Sequence, residues 1–404
     1  MAGTTPPPLA GIRVIDLTIW IQGPVATALM ADLGADVIKI EKAGSGDFTR
    51  HISTAFGVLM KQPNGENMLW SLYNRNKRGL ALDLHRPESR PVFERLVRSA
   101  DVLVTNLMAP ALRSMGADEA TVRAINPDII YARGTGLGET GPLAEEPCMD
   151  TLGFAYSGAM FTVSADEGQP HYPPGALADM LSGATLAMGV LAELVARRGG
   201  APAAPVASSQ LNAMLWLQTI NIGAITNLGT PIPPVHRSRP AYATFNTYRC
   251  GDGRWLALGI SVAQEDQWPV LCEALGRPAL ADDPRFKTVD GQKEHAPELT
   301  RILDELFAAQ PLDYWLARLR PHGIWASQVN RLEDLAADPQ VVANHYVRED
   351  SSGTKFVPAP FVIGDYEPPA QAAPAHGAHT DAILSELGLS AEEISALRVS
   401  GAVW

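Results

Sequence analysis

One aspartate stands where a Pro/Gly turn gives way to a long apolar run, and it is the residue of this chain best placed to do chemistry. The stretch Pro173-Pro-Gly-Ala-Leu-Ala-Asp179-Met-Leu-Ser-Gly183 puts Asp179 just ahead of a helix expected from Met180 to about Ala196. A carboxylate there can accept bonds from the free N–H groups of the first turn, which would make it an N-cap. The same position suits a nucleophile, because the helix start stabilises the anion and apolar surroundings strip its water. Spacing alone leaves both roles open.

Other candidates are weaker. Gly136-Leu-Gly138-Glu-Thr-Gly141 follows an expected strand and matches a dinucleotide-binding fingerprint by letter, but the Pro-Leu-Ala-Glu-Glu-Pro after it does not open a helix. A pyrophosphate there would lack its helix N-terminus, so a flexible loop is the better reading. Arg75, Lys77 and Arg78 cluster after the aromatic run Trp70–Tyr73, with Lys42 and Arg50 upstream. These cations read either as a solvated basic turn or as phosphate donors. The nine histidines contain no HxxxH or HExxH, and no serine lies in GxSxG, so neither a helical metal pair nor a serine triad is indicated. Cys148, Cys250 and Cys272 form no CxxC, which points to free thiols in a reducing cytosol and no zinc site.

A chain of 404 residues with 46% hydrophobic and 19% charged content has enough length for two or three globular domains. Its net charge of −12 argues against nucleic acid and against an anionic membrane surface. The richest apolar segment, 184–195, is too short to span a bilayer and ends at Arg197 and Arg198, so no transmembrane helix is expected. Met-Ala-Gly-Thr-Thr-Pro-Pro-Pro has no signal-peptide pattern and reads as a frayed lead-in.

The elements that must position Asp179 alternate. Strands are expected at 12–17, 36–41, 79–84, 101–105 and 129–133, with helical patterns at 24–33, 86–99 and 117–125. That alternation predicts an α/β, doubly wound, Rossmann-like parallel sheet. Residues 206–226 read as helix. A hairpin with an Asp-Gly turn is expected at Arg249–Trp255, helices at 263–275, 296–308 and 311–321, a strand at 356–363, and a capped helix from Ser390. The resulting division is a large domain from 1–205, a linker helix and loop at 206–240, a small inserted α+β domain at 241–322, and a return to the large domain at 323–404.

Several of these segments together resemble the class III CoA-transferase family, which includes formyl-CoA and carnitine CoA-transferases and α-methylacyl-CoA racemase. The match rests on Leu9–Leu17, Gly23-Pro24, Leu33–Glu41, Gly44–Asp47 with Arg50, and Asn76–Arg78 followed by Leu80–Asp83. It continues through Asp101–Asn106, Leu112–Gly116, Asn126-Pro127, Gly136–Pro142, Ala178-Asp179 with Ser182-Gly183, Asp338-Pro339 and His379–Asp381. The resemblance implies a large domain made from both chain ends and an interlocked homodimer. It implies Asp179 as the catalytic aspartate and Asp150 as a second acidic site residue. Coenzyme A, as co-substrate, would lie near Lys42, Asn76, Lys77 and Arg78, with Gln22 near the first turn.

The implied reaction moves CoA from an acyl-CoA to a carboxylic acid through an aspartyl mixed anhydride and an aspartyl-CoA thioester, with no metal and no tightly bound cofactor. The chain departs from the family at Met149, where racemases carry a histidine, at Leu107-Met108-Ala109, where a basic residue is usual, and at Ala378. It also lacks a glycine-rich flap around Gly259–Gln264. An acyl-CoA racemase or isomerase, with Asp150 and Asp179 as bases, a nucleotide-dependent oxidoreductase and a non-catalytic CoA-binding protein are the alternatives.

Overall fold

A computed structural model of the chain describes residues 5–164, 168–260 and 266–404. Met1–Thr4, the Ser261–Gln264 part of the flap comparison and the first three residues of the helix expected over 263–275 lie outside the described residues. The chain divides into two compact units: Met1–Val163 with Pro170–Ile232 and His345–Trp404, and Ser164–Gln169 with Pro233–Asn344.

The first unit is built on six strands: β1 (Arg13–Leu17), β2 (Asp36–Glu41), β3 (Arg78–Ala81), β4 (Val102–Thr105), β5 (Ile130–Thr135) and β6 (Val206–Ser209). They lie in the order β3-β2-β1-β4-β5-β6, all parallel. Strands this apolar need cover on both faces. On one face Ile15, Ile38, Leu80, Leu103 and Tyr131 pack against Val92, Phe93 and Leu96 of the helix Arg90–Arg98 and against Ile383 and Leu384 near the C-terminus. On the other, Val14, Val37, Val104 and Ala132 meet α1 (Gln22–Asp32) and the long helix α3 (Leu177–Arg198). Both chain ends therefore build one doubly wound layer structure.

Two sequence expectations change. Residues 206–209 are strand rather than helix start, because Val206 to Ser209 pair in register with Ala132 to Thr135 at the sheet edge. The expected strand at 356–363 shrinks to Lys355–Phe356. Helix α3 is long and apolar enough to cross a membrane by length and composition. Its Leu186, Ala187, Val190 and Leu194 are buried against the sheet, which makes it a core helix here. It crosses α1 closely at Gly183, where an added Cβ would sit 2.4 Å from the Gln22 carbonyl oxygen.

The second unit pairs Phe245–Arg249 with Trp255–Gly259 as an antiparallel hairpin. Ala326–Val329 adds on the other side of Trp255–Gly259, so this small unit runs past residue 322. Helices including Ala296–Ala308 and Leu312–Leu319 cover it around Tyr248, Leu256, Phe286, Phe307 and Trp315.

A buried ionic cluster ties the first unit together. Asp16 on β1 lies 2.8 Å from Lys77 Nζ and 3.6 Å from Lys39 Nζ, and all three side chains are fully buried. Burial pushes the Asp16 carboxyl up, but Lys39 and Lys77 outweigh that and hold it near 2. Burial wins at Lys77, whose ammonium is pulled down to about 8 against the attraction of Asp16. Removing one partner of a buried pair leaves a costly lone charge. Lys77→Met is therefore expected to lower the unfolding free energy by about 3–5 kcal/mol. Urea denaturation at pH 7 measures this, and an unchanged midpoint would show that the cluster does not hold the sheet.

Candidate active site

The site grows from the carboxyl end of the sheet, where ligands of open α/β folds bind. A cavity of about 920 Å³ opens there, with every lining residue from the first unit. Trp20, Phe48, Phe56, Met108 and Met149 make much of its wall, and Asp150, Asp179, Gln22 and Gln210 bring polar groups into it.

Helix α3 begins earlier than the pattern suggests. Ala176 is its N-cap, in the left-handed region at φ 53°, and Asp179 is the third residue inside. Asp179 is thus not a cap. Its own N–H donates to Asp150 Oδ1 at 2.9 Å, so the carboxylate capping this helix comes from Asp150, the first residue of α2 (Asp150–Tyr156). The Tyr172 hydroxyl donates to the other oxygen of Asp150. Two acidic residues 29 positions apart are held together because one satisfies the backbone of the other.

The Asp179 side chain accepts 2.5 Å from Gln210 Nε2, and the residue is 9% exposed. Burial pushes its carboxyl up, the Asp150 charge adds to that, and the Gln210 bond opposes both, leaving it at about 7. Sequence reasoning missed Gln210. It sits at the first position of α4 (Gln210–Leu217), directly after β6, with Ser209 capping that helix at the Asn212 N–H. The Cys148 thiol donates to Gln210 Oε1 at 3.1 Å, which turns the amide nitrogen toward Asp179. Gly153 makes room: a Cβ there would meet Gln210 Oε1 at 2.4 Å. Nothing in the local pattern marks Gln210, because its meaning comes from the sheet-edge pairing of the residues before it.

Gln22 is buried on the cavity wall and its Nε2 donates to the Thr135 carbonyl at 2.9 Å and to Ser182 Oγ at 3.0 Å. The four residues named for CoA are not brought to this cavity. Lys77 is enclosed in the Asp16 cluster, with Asn74 Oδ1 and the Pro24 carbonyl as further partners. Asn76 Nδ2 donates to Asp32 Oδ1 and to the Pro369 carbonyl. Arg78 grips Asp36 at 2.8 Å and Glu386 at 2.7 Å. Folding lays carboxylates and carbonyls from distant segments against these side chains, which engages Lys77 and Asn76 fully and Arg78 in part. Lys42 is exposed after β2 and is ion-paired with no described residue. Among the described residues, no group of three or more His, Cys, Asp and Glu is arranged to hold a metal.

Known proteins resemble this chain over nearly its whole length. The model of CoA-transferase family III matches residues 9–380. An acyl-CoA transferase of Fusarium pseudograminearum is 31% identical over 98% of this chain and 88% of its own length. A succinate–glutarate CoA-transferase of Agrobacterium fabrum is 31% identical over 94% and 96%. The crystal structure of a CAIB/BAIF family protein from Brucella suis superposes with a TM-score of 0.83 at 27% identity, covering 95% of this chain and all of that one. The chain belongs to CoA-transferase family III. It is an enzyme of the class that moves CoA between acyl-CoA thioesters and acids.

The raised Asp179 carboxyl makes a signed prediction about stability. The folded protein holds this proton up to about pH 7, while the ordinary value is 3.8. The stability tied to the proton is complete below about pH 4 and is lost as the pH rises through 7. Asp179→Asn cannot ionise and escapes that loss. The variant's advantage over wild type in denaturant unfolding should grow between pH 4 and 8, by at most about 4 kcal/mol. A difference that stays flat with pH would show that Asp179 ionises as it does in water.

Proposed function

We propose that Asp179 is the covalent nucleophile of CoA transfer. An Asp179 oxygen attacks the thioester carbonyl of an acyl-CoA, and CoA thiolate leaves as a mixed anhydride forms. The thiolate attacks the aspartyl carbonyl of that anhydride and expels the donor acid, giving an aspartyl-CoA thioester. The acceptor carboxylate attacks this thioester and expels the thiolate again. The thiolate then attacks the acceptor-derived carbonyl of the second anhydride, which releases the new acyl-CoA and the free Asp179 carboxylate. Each step exchanges one acyl bond for another, so one difficult displacement becomes four easier ones.

The observation that carries this reading is the state of Asp179: a carboxyl in an apolar cavity, raised to about 7, and oriented by Gln210. A more basic carboxylate is a stronger nucleophile once ionised, and activity should rise as the pH passes through about 7. The long arm of CoA carries its phosphates away from the thioester, and exposed Lys42 is the named cation free to receive one.

Asp179→Ala and Asp179→Asn should both abolish transfer, because asparagine keeps the size and loses the nucleophile. Hydroxylamine added during turnover should leave a hydroxamate on the peptide carrying Asp179, read by mass spectrometry. Wild-type rates in Asp179→Asn with no label on that peptide would end the covalent reading.

We also propose that the enzyme works as a homodimer. The helix Thr219–Leu228 has no buried residue, and Ile220 and Leu228 on it are 78% and 76% exposed. Trp216 just before it is 61% exposed. An apolar surface of this size asks for a partner. Sedimentation should give twice the chain mass of 43.2 kDa, and Ile220→Glu with Leu228→Glu should shift it toward one. A wild-type monomer at micromolar concentration would exclude the dimer.

A further inference from the structure

The two carboxyl oxygens of Asp179 meet different surroundings. Oδ1 accepts from Gln210 Nε2 at 2.5 Å. Oδ2 accepts a hydrogen bond from no described residue, and it is not among the enclosed polar atoms left without a partner, so it opens on the cavity that Asp179 lines. The amide that holds Oδ1 is itself held. Gln210 is 3% exposed, and its Oε1 accepts from the Cys148 thiol at 3.1 Å. An ionised carboxylate can only accept, so the nitrogen end of the amide must face Asp179. The other polar groups of the cavity are committed elsewhere. Gln22 Nε2 spends its two hydrogens on the Thr135 carbonyl and Ser182 Oγ, and the Tyr172 hydroxyl serves Asp150. Among the described residues, Gln210 is the one side-chain donor to the Asp179 carboxyl.

The exchange chemistry puts negative charge on the held oxygen twice. When Oδ2 attacks an acyl-CoA, Oδ1 becomes the aspartyl carbonyl oxygen of the mixed anhydride. The CoA thiolate then forms an S–Cγ bond, and the carbonyl electron pair moves onto Oδ1. Its return breaks the Cγ–Oδ2 bond, and the donor acid leaves with Oδ2. In the next exchange the acceptor carboxylate bonds to Cγ, the pair moves onto Oδ1 again, and its return expels the thiolate. A donor already aimed at Oδ1 stabilises both tetrahedral states without reorganising. It does little for the first attack, in which charge develops on the oxygen of the acyl group instead.

We infer that Gln210 is a catalytic residue: it leaves Oδ2 as the attacking atom and donates to the oxyanion in both attacks on the aspartyl carbonyl, with Cys148 as the positioning residue that keeps its nitrogen on Oδ1. This rests on Asp179 being the covalent nucleophile. It adds to that reading the group that stabilises charge when Asp179 is itself attacked. An uncharged amide suits the task, because it binds the oxyanion without pairing so tightly with the resting carboxylate that the first attack is suppressed.

The test separates attack by Asp179 from attack on it, using whichever of acetyl-CoA, succinyl-CoA and hexanoyl-CoA the wild type transfers best. Rapid quench and intact-protein mass spectrometry give the rate at which CoA becomes attached to the enzyme, which counts attack on the aspartyl carbonyl. In parallel, hydroxylamine converts the first anhydride to free acyl hydroxamate, and its rate above an Asp179→Ala blank counts attack by Asp179. Gln210→Met keeps the length of the side chain and loses the donor. It should slow CoA attachment about a hundredfold while leaving the hydroxamate rate nearly unchanged. Cys148→Ala should slow CoA attachment several-fold, and Cys148→Ser, which can still donate to Oε1, should recover it; this pair carries the test if Gln210→Met does not fold. Equal slowing of both rates in Gln210→Met, or no slowing of CoA attachment, overturns the assignment and leaves Asp179 as nucleophile. Cys148→Ser as slow as Cys148→Ala would overturn the positioning role. Neither product from wild-type enzyme that is transferring CoA would instead fail the covalent reading itself.

Discussion

The hydrogen bond from the Asp179 N–H to Asp150 is the contact on which the site depends. It caps the longest helix of the first unit, and it does so with a carboxylate that raises the proton affinity of the side chain it anchors. A conventional cap from the residue preceding the helix would satisfy the same N–H with no effect on Asp179. By recruiting the cap from α2, the fold couples backbone satisfaction to the acidity of Asp179. Gln210 limits the effect from the other side, and Cys148 and Gly153 hold Gln210 where it can. Asp150, Asp179 and Gln210 reach the site from three different helices, and the sheet-edge strand β6 sets the position of Gln210.

Much of the parallel sheet is legible in the sequence, because strands covered on both faces read as short apolar runs separated by helical periodicity. The strand β6 is not legible. Val206–Ser209 runs without a break into apolar Leu211–Leu217, and only pairing with β5 distinguishes it from the helix that follows. The same limit hides Gln210. Asp179 stands out because a Pro/Gly turn and an apolar helix flank it, yet the cap role that the spacing alone favours is excluded by Ala176 taking the left-handed cap position. Asp150 owes its notice to family resemblance, since no spacing rule relates residues 29 apart.

The basic run after Trp70 shows how a motif of the right residue types can serve the fold. Its cations face Asp16, Asp32, Asp36 and Glu386, contributed by β1, α1, β2 and a helix more than 300 residues away. None of these partners is visible from the run itself. Arg50 behaves in the same way, forked onto Glu41 at 2.7 and 2.8 Å with its guanidinium 3.5 Å over the Trp70 ring. Cations counted from sequence measure the capacity for ion pairing, and the topology decides whether the partner is a ligand or the protein.

Asp16 and Asp179 make the electrostatic logic of the molecule explicit. Both are buried carboxyls of the first unit, and burial alone pushes both upward. Asp16 faces two buried lysines and is held near 2, locked as an anion that joins β1 to its neighbours. Asp179 faces another aspartate and an uncharged amide, and stands at about 7. No cation is among the groups that act on it. A lysine at hydrogen-bond distance would lower its basicity, as the lysines do for Asp16. The cavity's one arginine among the described lining residues, Arg133, contacts Glu139 at 3.5 Å and is not among the groups that act on Asp179. The same burial therefore gives a locked anion where cations surround the carboxyl and a basic carboxyl where they do not.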